Sequence, residues 1–245
     1  MTGWYEKYYW QVGFTSRLYD ELTPESYFES LRRVVALVPE KGDQKIWDAG
    51  CGTGLLLVYL KYSLSKGMIY FGSDLLSAGL KQARMRAKDS NISGTFFQND
   101  LTESPPFREK TIDVVVAHFS IYTISGKVKR QQALKNMFSV LKPDGILIIC
   151  CPSNTYDASR IIEESNQMNR LKGGFLNFTL KRIIFYPITK ILGLNFIKKQ
   201  LDSGAWIAYT KEELSKELEQ AGFGIKASEQ IYAGGAHLMI GKKEE

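Results

Sequence analysis

The stretches Val114-Val115-Val116-Ala117 and Ile146-Leu147-Ile148-Ile149 are apolar without interruption. Neither alternates with polar residues, which predicts β-strands covered on both faces. The strand Ile112–His118 carries the first and Ile146–Cys151 the second. Three further strands are predicted at Lys45-Ile46-Trp47-Asp48-Ala49, Met68–Gly72 and Gly94–Gln98. Helical segments stand between them at Leu55–Leu64, Leu76–Lys88 and Lys127–Leu141. An earlier helix is expected to start at Thr23-Pro24-Glu25-Ser26, a cap and first turn, and to run to about Val38. Such alternation predicts a parallel sheet with helices on both faces. After Pro152 the pattern loosens, then resumes with a helix at Lys211–Ala221. Two closing strands follow, Phe223–Tyr232 and His237–Lys242, joined by Ala233-Gly234-Gly235-Ala236 and expected to form an antiparallel hairpin.

Composition narrows the class. With 245 residues, 44% of them hydrophobic and 24% charged, the chain is a folded protein with one sizeable core. Cys51, Cys150 and Cys151 form neither a CxxC pair nor a disulfide framework, and the aromatic start MTGWYEKYYW does not read as a leader. No stretch is long and apolar enough for a membrane-spanning helix. A cytoplasmic protein is expected, with peripheral membrane contact left open. The net charge of +6 is local. Seven basic residues and no acid lie between Ser165 and Leu201, so that segment alone carries +7.

The chemistry centres on the loop after the first strand, Asp48-Ala49-Gly50-Cys51-Gly52-Thr53-Gly54. Glycines there let the backbone approach a ligand, and the following helix offers free N–H groups. A phosphate-binding P-loop needs Gly-Lys-Ser/Thr, yet Gly54 is followed by Leu55. The dinucleotide fingerprint needs a glycine where Leu55 or Leu57 stands. What remains is D-x-G-x-G-x-G. With it come Tyr70-Phe71-Gly72-Ser73-Asp74-Leu75, Phe97-Gln98-Asn99-Asp100-Leu101, Thr111 to Phe119 and Leu141-Lys142-Pro143-Asp144-Gly145. In this order the five segments resemble the class I S-adenosylmethionine-dependent methyltransferases over about residues 45 to 151.

The resemblance implies a Rossmann-like, doubly wound α/β fold: a seven-stranded, mostly parallel sheet with an antiparallel last strand, an N-terminal helical lid and a helical insertion before the last two strands. It divides the chain into a lid (1–44), a donor-binding core (45–152), a basic and apolar cap (153–210) and the rest of the core (211–245). The cofactor it implies is S-adenosylmethionine, released as S-adenosylhomocysteine. Asp48, Gly50, Cys51, Gly52 and Gly54 would cradle it. Asp74, 24 residues beyond Gly50, would accept the ribose hydroxyls with Leu75 beside it. Asp100 and Leu101 would flank the adenine, and His118 would reach the donor pocket.

Methyl transfer needs donor and acceptor collinear, and a base only where the acceptor must lose a proton. His118, at the carboxyl end of a central strand, is the candidate base or else lines the donor pocket; Tyr122 is the second candidate. With two histidines in the chain and no cluster at ligand spacing, no metal site is expected. The aromatic start, including Phe14 to Asp20, resembles ubiquinone and menaquinone biosynthesis methyltransferases, which makes Tyr5, Tyr8, Tyr9 and Tyr19 candidate acceptor-binding residues. A small, apolar or aromatic acceptor, quinone- or lipid-like, is expected. Residues 170–199 could rest on an anionic membrane, although Pro187 and Gly193 argue for a bent helical pair there. The basic segment also permits an RNA or DNA methyltransferase, against which no Asn-Pro-Pro-Tyr-type motif follows the fourth strand. A donor-binding protein without turnover, or one that transfers another group, stays open. Oligomeric state cannot be read from the chain.

Overall fold

The computed structural model describes residues 22–172 and 179–244. Its elements are α1 (Glu25–Leu37), β1 (Lys45–Ala49), α2 (Leu55–Tyr59), α3 (Lys61–Ser65), β2 (Ile69–Asp74), α4 (Ser77–Asp89), β3 (Thr95–Gln98), β4 (Ile112–His118), α5 (Lys127–Val140), β5 (Leu141–Pro152) and α6 (Ala158–Lys172). A helical run follows through Lys181–Phe185, Tyr186–Ile188, Thr189–Leu194 and α7 (Asn195–Asp202). The chain closes with α8 (Lys211–Gln220), β6 (Phe223–Ile231) and β7 (Ala236–Lys243).

The seven strands form one sheet in the order β3-β2-β1-β4-β5-β7-β6. All pairings are parallel up to β5, and β7 runs antiparallel to both of its neighbours. This is the doubly wound sheet expected, with the closing hairpin at its edge. The apolar runs of β4 and β5 sit at the centre, where Val115, Val116, Ile148 and Ile149 are fully buried under helices on both faces. The order turns back beside β1, so β1 and β4 are neighbours whose connections leave to opposite sides. Ligands bind at the carboxyl edge of such a switch point.

Three local features differ from the sequence pattern. The expected helix Leu55–Leu64 divides at Leu60 into α2 and α3; Leu60 is fully buried while α3 buries no side chain. β5 starts at Leu141, ahead of the strand expected from Ile146. Leu141 already pairs with Ile112, and residues 142–145 loop out before Ile146 pairs with Val114. Asp113 explains the site: its carboxylate accepts from the Lys45 N–H (2.9 Å) and pairs with Lys142 (2.7 Å), tying three strands at their start. Third, residues 179–202 form one unbroken helical run rather than a bent pair. Wide, π-type turns at Lys181–Phe185 and Thr189–Leu194 stand on either side of Pro187, and the second contains Gly193. They relieve the clash between a proline ring and the preceding turn.

Candidate functional site

The glycine loop is fastened to the end of β2, because the N–H groups of Gly50 and Cys51 both donate to Ser73 O at 2.8 Å. Gly50 has φ +92, and a Cβ there would stand 2.3 Å from Ser120 Cβ. Gly54 has φ +76, and a Cβ there would stand 2.9 Å from Ala83 Cβ. Only glycine lets the loop press against the end of β4 on one side and α4 on the other.

Asp74, the last residue of β2, spans the cradle. Its Oδ2 accepts from the Gly52 N–H and its Oδ1 from the Leu76 N–H, both at 2.9 Å. Burial raises its pKa, against the pull of those amides. Each carboxylate oxygen keeps a further lone pair. Leu75 is exposed beside it, and its carbonyl accepts from Gln98 Nε2. At the end of β3, the exposed Asp100 accepts from the N–H and hydroxyl of Thr102, and the half-buried Leu101 offers its carbonyl to Asn136. Two buried polar atoms in this region, Asn99 Nδ2 and Ser120 Oγ, have no hydrogen-bond partner.

Behind the loop, Asp48 is buried and accepts from Tyr70 Oη at 2.6 Å. Desolvation pushes its carboxyl up to about 7, so near neutral pH much of it is uncharged. Cys51 is buried as well, and desolvation holds its thiol well above the usual range. A thiol so placed is a small apolar packing group.

The other half of the site is aromatic. His118, the last residue of β4, is buried, with Tyr27 and Phe119 packed edge-on to its ring. Its Nε2 lies 2.8 Å from Ser30 Oγ, whose single proton goes to Tyr27 O at 2.7 Å. Ser30 therefore accepts from Nε2–H, which leaves the imidazole lone pair on Nδ1. Burial lowers the His118 pKa to about 3, so the ring is neutral. Phe119 adopts φ +52, a left-handed conformation costly for an aromatic residue. It stacks on Tyr27 and meets Tyr122 and Tyr232. The ring of Trp206 stands edge-on to Tyr122, whose carbonyl accepts from the Ile207 N–H.

The structure thus brings Gly50, Gly52, Gly54 and Asp74 into one cradle, with Asp48 and Cys51 packed beneath it. His118 and Tyr122 belong to the aromatic group. Tyr5, Tyr8, Tyr9 and Tyr19 lie outside the described residues. Sequence reasoning did not single out Tyr27, Ser30, Phe119, Ser120 or Tyr232. Tyr27 and Ser30 are three apart on α1, a helical spacing that places both toward the sheet without saying which strand they meet. The strained backbone of Phe119 has no signal in its residue type.

A family model described as a methyltransferase domain matches residues 47–149. The chain is 33% identical over 137 residues to YqeM of Bacillus subtilis (strain 168), a match that covers 56% of this chain and 53% of that protein. It therefore spans about half the length of that relative. To the ubiquinone/menaquinone biosynthesis C-methyltransferase UbiE of Campylobacter jejuni it is 27% identical over 224 residues, 88% of this chain and 85% of UbiE. A solved SAM-dependent methyltransferase from Aquifex aeolicus shares the fold, with TM-score 0.60 and 14% identity over 94% of each chain.

Proposed function

We propose, because the chain belongs to the class I S-adenosylmethionine-dependent methyltransferases, that it transfers the methyl group of S-adenosylmethionine to a small, apolar or aromatic acceptor of quinone- or lipid-like kind. Residues 45–152 and 211–245 act as the donor-binding core, residues 153–210 as the cap over the acceptor and residues 1–44 as a lid. The observation that carries the acceptor class is the group of rings at the carboxyl end of β4: Tyr27 and Phe119 against His118, with Tyr122 and Tyr232 against Phe119. Flat apolar walls suit a planar or greasy acceptor and offer few polar groups to a charged one. The likeness to UbiE over most of both chains points the same way.

The cradle fits the cofactor. Asp74 has lone pairs for both ribose hydroxyls, and the unpartnered Asn99 Nδ2 and Ser120 Oγ are polar atoms that a nucleoside amino acid would satisfy. Asp100 and Leu101 border the adenine end; the Gly50–Gly54 loop carries the amino-acid end. When bound, S-adenosylmethionine supplies a methyl group on a positively charged sulfur that leaves as a neutral thioether. The residues of the chain need only hold the acceptor atom in line with that carbon while the rings exclude water. A protonated acceptor must release its proton, and His118 Nδ1 and then Tyr122 are the candidates to receive it. Burial that lowers the His118 pKa to about 3 makes the ring a weak base, so it serves better as a pocket-lining group whose Nδ1 lone pair, left free by Ser30, accepts a hydrogen bond.

The test is a calorimetric titration with S-adenosylmethionine, S-adenosylhomocysteine and NADH. Incubation of the donor-loaded protein with a lipid and quinone extract, read by mass spectrometry, follows. Binding of the first two ligands and a product heavier by one CH2 unit are expected. Donor binding with a methylated polar or nucleic-acid product would overturn the acceptor class; binding of NADH alone would overturn the reading entirely.

A further inference from the structure

The helical run over residues 179–202 divides sharply between its faces. One face is anchored. Tyr186 is fully buried, its hydroxyl accepts from the Glu25 N–H at the start of α1 (3.2 Å), and Asn169 of α6 also reaches it. Thr189 Oγ1 lies 2.5 Å from Leu22 O, and Leu194 is buried in the core. The other face carries exposed apolar side chains. Leu180, Ile183, Ile184, Ile188, Ile191 and Leu192 are 40–66% exposed. Their spacing, with steps of three, one, four, three and one, keeps them on one side of a helix. Isolated exposed leucines need no explanation, but six on one helical run form a patch that does.

Charge decides the occupant. The run carries Lys181, Arg182, Lys190, Lys198 and Lys199, and its single acid is Asp202, held by Lys198 at 2.7 Å; from outside the run Asp157 faces Lys190. A second copy of the chain docking here through a two-fold axis would set this net positive run against itself. Nucleic acid would leave the isoleucines unused, since it rewards stacking rings and polar groups. A surface that is apolar below and anionic above matches both features at once, with the aliphatic side chains in the acyl boundary and the ammonium groups at the phosphates.

We infer that residues 180–199 are a docking face for an anionic lipid bilayer. Among the described residues no helix is long and apolar enough to cross a membrane, so this face lies on the surface. The same segment leads into the site, because after α7 the chain places Trp206 against Tyr122 and Ile207 on the Tyr122 carbonyl. The face would thus deliver an apolar acceptor at the carboxyl end of β4. In that purpose, though not in its chemistry, the inference rests on the acceptor reading above.

The experiment is vesicle flotation of the purified full chain, with phosphatidylcholine vesicles and with phosphatidylcholine/phosphatidylglycerol vesicles, at low and high salt. Wild-type protein is expected to float with the anionic vesicles only. Each lysine or arginine at the surface is worth about 1 kcal/mol, about fivefold in partition, so Lys181→Gln and Lys190→Gln together should lower binding roughly 25-fold. Ile183→Asp with Ile191→Asp should abolish it. Both substituted side chains are exposed, and unchanged thermal unfolding and donor titration would show that the variants fold. Equal flotation on neutral vesicles, no flotation at all, or undiminished binding by the aspartate variant would each overturn the inference. So would a wild-type dimer that the aspartate variant turns into a monomer without vesicle binding by either. Donor binding is measured on the same samples: protein that binds donor but not vesicles refutes the docking face alone, and protein that floats but binds no donor refutes the proposed activity alone.

Discussion

Asp74 holds the cradle together from inside it. Its two oxygens take the amides of Gly52 and Leu76, so the group that would receive the ribose also fixes the distance between the glycine loop and the end of β2. Asp74→Ala should weaken S-adenosylmethionine binding by about 1–3 kcal/mol, the cost of unmade buried hydrogen bonds. Asp74→Asn retains one acceptor oxygen and should fall between. Calorimetry on both checks this, and an Asp74→Ala protein that folds and binds with wild-type affinity would remove Asp74 from the ribose. Two other buried groups near the site pull stability in opposite directions with pH. Asp48 has its pKa raised from 3.8 to about 7, so the native state holds a proton that the unfolded chain releases. Its contribution is full below about pH 4 and is lost as pH rises toward 7. His118 has its pKa lowered from 6.5 to about 3, so its contribution is full above 6.5 and is lost as pH falls. Between pH 4 and 6.5 the two slopes oppose, each on the order of 1.4 kcal/mol per pH unit. Urea unfolding across that window should show stability rising more steeply with pH in Asp48→Asn than in wild type. In His118→Gln it should fall with pH. Parallel profiles for all three proteins would mean that neither group titrates as its burial implies.

Elements were legible to the extent that their cause is local. The unbroken apolar runs of β4 and β5 could be recognised because a strand covered on both faces has no polar alternation to hide it, and Ile112–His118 falls where the pattern put it. The helix after Thr210 was legible as well, since Thr210 and Glu213 form a reciprocal capping box that stops it from fraying. What could not be read is pairing at a distance. Nothing near Ser30 indicates that its hydroxyl meets His118, 88 positions away, and nothing near Arg130 announces Glu217. Yet that second contact is what docks α8 on α5. Arg130 donates to both carboxylate oxygens of Glu217, at 2.9 and 3.3 Å, and Tyr209 Oη donates to the same group at 2.9 Å. Both charged side chains are more than nine-tenths buried. Arg130→Ala strands a buried carboxylate and should cost about 3–5 kcal/mol. Thr210→Ala, which loses only the cap, should cost about 1 kcal/mol. Denaturant unfolding of the two variants tests the order: if the cap proves more costly than the ion pair, α8 is held by its own helix and not by α5.

At the scale of the molecule, the proposed donor cradle is assembled at the carboxyl edge of the sheet, from strands that are neighbours there. The Gly50–Gly54 loop leaves β1, Asp74 ends β2, Asn99 and Asp100 follow β3, and Ser120 follows β4. The elements behind that edge share one core, in which Ile46, Trp47, Val115 and Ile148 are buried together. A ligand bridging four adjacent strand ends binds the native arrangement and finds no counterpart in the unfolded chain, where those residues are far apart. Its binding energy is therefore added to the stability of the whole sheet. At a donor concentration a hundredfold above the dissociation constant, the gain is about 2.7 kcal/mol. For a chain of this size each kcal/mol raises the melting temperature by about 2–4 °C, so scanning calorimetry should show an upward shift of about 5–11 °C. The transition should move as one peak, because the cradle and the core are parts of one sheet. S-Adenosylhomocysteine should act alike and NADH should not. Asp74→Ala should shrink the shift at the same donor concentration, while the aspartate substitutions at Ile183 and Ile191, on the far face of the helical run, should leave it unchanged. A donor-induced shift confined to part of a split transition would mean that the strand ends gather around the ligand without the rest of the sheet. Equal shifts with S-adenosylmethionine and NADH would mean that the loop reads only a nucleotide, and that Asp74 and the unpartnered atoms of Asn99 and Ser120 do not discriminate between them.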